Sequence, residues 1–87
     1  MPELSQQPPD VYTLLAALAD RIDGKYRNAA MDEPLALAQA LVVAERAPGS
    51  TDAAERALTD ALPPVRTGDT RADYAARVRL LAEGVTA

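Results

Sequence analysis

Proline and glycine punctuate this chain so often that no secondary-structure element in it can be long. Gly24, Pro34, Pro48-Gly49, Pro63-Pro64 and Gly84 divide it into short stretches. Proline locks φ and lacks a backbone N–H, and glycine stops helices by reaching backbone angles that other residues avoid. Between these breaks, apolar residues recur every three or four positions, which is the period of a helix. No stretch of useful length alternates with the period of a strand. The spacing predicts an all-α fold: a compact bundle of about four short helices with an extended N-terminal arm.

The first helix starts at Asp10, a residue suited to an N-cap, with Val11, Leu14, Leu15, Leu18 and Ile22 on one face and Gly24 as its stop. The second starts at Asp32-Glu33-Pro34 and runs through Leu35, Ala36, Leu37, Ala38, Ala40, Leu41, Val42, Val43 and Ala44. It is apolar nearly all round, which marks it as the central helix or an interface helix. On that reading Leu41→Asp unfolds the domain or its assembly. A third helix starts near Thr51 or Asp52, where Asp52 and Glu55 have capping-box spacing, and ends at Pro63-Pro64. The fourth starts at Thr70 with Asp73 three residues on. Tyr74, Val78, Leu81 and Val85 lie on its inner face, and Leu80 points away. Residues 1–9 hold three prolines and read as an extended arm, and residues 10–87 form one helical domain.

The 87 residues contain no cysteine, histidine, phenylalanine or tryptophan. A domain of this size buries about 60% of its unfolded surface, so an alanine-rich core leaves a thin margin of stability and favours a partner or self-association. Without Cys or His there is no thiol nucleophile, no imidazole base and no zinc site of the usual kind. Asp20 and Asp23 beside Gly24 do not fit a calcium loop, because the positions that would bind calcium hold Ala19, Arg21 and Ala30. Asp32 and Glu33 have an evident helix-start role. The expectation is therefore no enzyme, no catalytic residues, no metal and no cofactor. The lack of disulfides and of an apolar leader or spanning run points to a cytoplasmic protein.

The net charge is −4, with a single lysine. Arg66, Arg71, Arg77 and Arg79 are interleaved with Asp69, Asp73 and Glu83, which reads as a solvated mixed-charge face. What remains is a helical protein–protein interaction module, an accessory, regulatory or assembly subunit that docks on a partner. Its candidate contact residues are Tyr26, Arg27, Val43, Leu80 and Arg77. Tyr26 with Arg27 has the composition of an interface hot spot, and Val43 and Leu80, with Leu4 of the arm, are surplus apolar residues. The alternative is a small helix-turn-helix DNA-binding regulator or antitoxin, with Arg56 or with Arg71, Arg77 and Arg79 facing DNA. The acidic balance makes nucleic acid an unfavoured partner.

Overall fold

The computed structural model describes residues 10–84. The predicted arm over 1–9, Leu4 within it, and Val85 lie outside them. The fold is a four-helix all-α globule: α1 (Val11–Ile22), α2 (Glu33–Arg46), α3 (Thr51–Ala61) and α4 (Arg71–Ala82). Each helix begins with a side chain that accepts a backbone N–H: Asp10 from Tyr12, Asp32 from Leu35, Ser50 from Ala53 and Thr70 from Asp73. Thr70 and Asp73 complete the predicted capping box reciprocally. Helix α3 begins at Thr51, within the expected start, but its cap is Ser50 and not the Asp52 capping box, because the Ser50 hydroxyl accepts the Ala53 N–H at 3.2 Å.

The central helix is α1, not α2. Its backbone lies close to all three others and most extensively to α4, while the backbones of α2 and α4 do not come close. Leu15, Leu18, Ala19 and Ile22 of α1 close over Tyr74, Ala75 and Val78 of α4 in one core with Ala54 and Leu58 of α3. Met31 joins this core from the α1–α2 connection, although no periodicity marks it. Helix α2 contributes its small residues: Ala36, Ala40, Val43 and Ala44 face inward. Leu37 and Leu41, expected inside, are 51% and 38% exposed. A methyl-sized stripe lets α2 approach its neighbours closely, which leucines at the same positions would prevent. Val43, expected on the surface, is buried at 7%.

The α1–α2 connection is sewn onto the start of α4. Met31 N–H donates to the Asp69 carbonyl at 3.0 Å, Arg71 N–H to Ala29 at 2.9 Å and Ala72 N–H to Arg27 at 2.8 Å. Ala30 and Thr70 form an isolated antiparallel bridge between these segments. The Arg71 and Ala72 bonds use helix-start N–H groups that no intrahelical carbonyl can reach. Tyr74 donates its hydroxyl to the Pro63 carbonyl at 2.7 Å, which ties α4 to the end of α3.

This packing reverses the expectation for Leu41. Leu41→Asp keeps its helical circular dichroism and its melting temperature within a few degrees. Leu18→Ala, at a fully buried position on α1, loses about 2–5 kcal/mol of stability. Thermal melts of the two variants check this, and collapse of Leu41→Asp would restore α2 as the centre.

Candidate functional site

The predicted contact residues do not gather into one patch. Tyr26 is 63% exposed on the α1–α2 connection, and Leu80 is 47% exposed on α4. Arg27 is exposed beside Tyr26 and forms an ion pair with Asp23 at 2.7 Å. Val43 is in the core, and Leu80 is exposed on a helix whose backbone does not come close to α2, so the two surplus apolar residues do not join.

Arg77 is not a free contact residue. Its two terminal nitrogens grip the Asp69 carboxylate at 2.8 and 2.7 Å, and one also donates to the Pro64 carbonyl at 2.9 Å. Its guanidinium lies over the Tyr74 ring, 5.3 Å from the centroid. Arg79 reaches from α4 to α1, donating to Asp23 at 2.9 Å and Asp20 at 3.0 Å. Arg77 and Arg79 are therefore not part of a merely solvated mixed-charge face, and Asp20 and Asp23 are more than surface acids of α1. They form a set of inter-element ion pairs that sequence spacing could not reveal, since the partners lie up to 59 residues apart.

These pairs set the protonation of the carboxylates. The Arg77 guanidinium, helped by the Arg66 N–H, holds Asp69 down at about 2. Hydrogen bonds from Arg27 and then Arg79 hold Asp23 below the usual carboxylate range. Burial pushes the Tyr74 hydroxyl up to about 12. None of these groups exchanges a proton near neutral pH, so none is poised for general acid–base work. Among the described residues no three Asp or Glu side chains converge as metal ligands would.

Two surface features do have a shape or chemistry suited to binding. The first is an apolar groove of about 230 Å³ between α1 and α2. Leu14, Ala17, Val43, Ala47 and Pro48 floor it, and Arg21 and Arg46 stand at its edge. Val43 thus takes part in a surface after all, as the floor of a recess. The one local trace of it in the sequence is Ala17 beside the leucine stripe of α1, where a small side chain leaves room next to large ones. Arg21 is steadied by Gln39 of α2, which accepts from its Nε. Arg46 forms no ion pair among the described residues.

The second feature is the corner around Tyr26. The Lys25 ammonium lies 5.7 Å and the Arg71 guanidinium 5.9 Å from the ring centroid. Sequence reasoning groups Tyr26 with Arg27 and places Arg71 only with the other arginines of the last helix, because only the pairing of residues 27–31 with 69–72 brings α4 to this turn. Comparison with protein-family models, with curated proteins and with solved structures gives no match to this chain.

The Asp69–Arg77 pair predicts the acid limit of the fold. An aspartate whose folded pKa lies below its unfolded value stabilises the protein fully above about pH 4 and loses that contribution as the pH falls towards 2. The melting temperature falls across this interval, and Asp69→Asn, less stable at neutral pH, shows a shallower fall. Parallel pH profiles for the two proteins would assign the acid transition to other groups.

Proposed function

We propose that this chain is a non-catalytic helical interaction module, an accessory, regulatory or assembly subunit that works by docking on another protein. The observation that carries the reading is the α1–α2 groove: an apolar floor of Leu14, Ala17, Val43, Ala47 and Pro48 between two arginines. Apolar side chains of a partner segment fit such a floor, and acidic residues flanking them meet Arg21 and Arg46. The exposed Leu37 and Leu41 on the outer face of α2 extend the apolar area available on that helix.

The chemistry of the chain supports the same reading. It has no cysteine or histidine, and three of its aspartates are spent on arginines. The reading includes a cytoplasmic setting, supported by the cysteine-free composition. No helix among the described residues is long and apolar enough to cross a membrane. The DNA-binding alternative loses cations it needs: Arg77 and Arg79 are engaged by carboxylates, and Arg56 is the one cation of α3.

Ala17 is exposed, small and on the groove floor, so Ala17→Arg fills the recess with a residue that helices accept well. Tagged wild-type and Ala17→Arg chains are compared by affinity capture from the native cells, gel filtration and mass spectrometry. A stoichiometric protein retained by the wild type and lost by the variant is the expected outcome. Recovery of the chain alone, or a partner indifferent to Ala17→Arg, overturns the groove as the docking site.

A further inference from the structure

Three arginines are half-buried, Arg71, Arg77 and Arg79, all on α4. Arg77 and Arg79 have carboxylate partners. Arg71 has none among the described residues, and its Nε is buried with no hydrogen-bond acceptor. The Nε of Arg77 also lacks an acceptor, but both of its terminal nitrogens are bonded. A guanidinium partly shielded from water and lacking a counter-ion gains by meeting an oxyanion.

The molecule contains a completed version of the same arrangement. Arg77 lies over Tyr74 with the Asp69 carboxylate gripped in its fork. Arg71 lies over Tyr26 with Lys25 on the same ring and Arg27 next in the chain. The acids nearest in sequence are already in use: Asp23 holds Arg27 and Arg79, and Asp73 accepts the Thr70 N–H. The helix-start amides of Arg71 and Ala72 are also taken, by Ala29 and Arg27. The corner therefore offers side-chain cations and an exposed aromatic ring, not a helix terminus.

We propose that Lys25, Tyr26 and Arg71 bind a carboxylate-bearing segment of a partner protein. A glutamate or aspartate side chain enters the fork of Arg71 beside the Lys25 ammonium, and an adjacent apolar residue covers the Tyr26 ring. A short acidic stretch suits a chain of net charge −4 better than a long polyanion, which the rest of the surface repels. The proposal rests on the reading of the chain as a protein-docking module, but it concerns a surface separate from the α1–α2 groove.

The test uses a short fluorescein-labelled peptide with glutamates flanking a leucine, and the same peptide with glutamines. Fluorescence anisotropy at low salt measures affinity, and amide shifts in a ¹⁵N-labelled sample locate the site. The expected result is saturable binding of the glutamate peptide, with shifts centred on residues 25–27 and 71. Arg71→Gln and the glutamine peptide each weaken it about tenfold or more, while Arg56→Gln leaves it unchanged. Should Arg71→Gln lower the melting temperature, Tyr26→Ala at the exposed ring gives the same loss. Equal affinity for wild type and Arg71→Gln, shifts elsewhere, or tighter binding of a single-stranded oligonucleotide overturns the proposal. Because the amide shifts locate the bound peptide, binding at residues 25–27 and 71 is distinguished from binding at the groove of Leu14, Ala17 and Val43, and failure of the corner from failure of the groove.

Discussion

Asp69 joins three parts of the chain at one residue. Its carboxylate takes both terminal nitrogens of Arg77 and the Arg66 N–H, and its carbonyl takes the Met31 N–H. The turn ahead of α4, the body of α4 and the α1–α2 connection are thereby fixed to each other. Gly68 makes this possible, because the turn needs a backbone φ of +85° just before the aspartate. Asparagine in place of Asp69 retains one acceptor but loses the charge that makes the fork a strong pair. The Tyr26 corner depends on this knot as well, since Arg71 reaches the ring only when residues 69–72 lie along 27–31.

The interior is closed by small residues as much as by large ones. Ala19, Ala40, Ala44, Ala54 and Ala75 have no exposed surface. Alanine brings helix axes together without filling a wide gap, so the bulkier Tyr74, Leu18, Leu58 and Val78 suffice for the centre. The same economy leaves Leu37 and Leu41 outside. A helix that turns its alanines inward and its leucines outward gives up part of the burial it could have had. That choice is consistent with an α2 whose outer side serves contact with another molecule.

Much of the fold was legible in the sequence. The breakers set four helices, Asp10, Asp32 and Thr70 were visible as starts, and the faces of α1 and α4 followed from their period. Helix α2 was misread because it is apolar on every side, so periodicity could not choose between Leu37-Leu41 and Ala36-Ala40. Packing distance makes that choice, and packing distance is not a local property. The site was less legible. Exposure of Tyr26, Arg27 and Leu80 followed from their positions, but the engagement of Arg77 and the burial of Val43 depend on which helices become neighbours. Arg71 shows the same limit in reverse. On its own helix it is an ordinary first-turn residue, and it becomes part of a corner only through backbone pairing with a distant turn.

The placement of α1 against α4 also bears on how the protein comes into being. As the chain leaves the ribosome, α1, α2 and α3 emerge in turn while the face of α1 that will meet Tyr74, Ala75 and Val78 has nothing to cover it. The core cannot close, and Asp20 and Asp23 cannot meet Arg79, until α4 has been made. Folding then waits on α4 and is governed by closure between segments nearly sixty residues apart. During that interval the leucines of α1 are open to chaperones or to another chain.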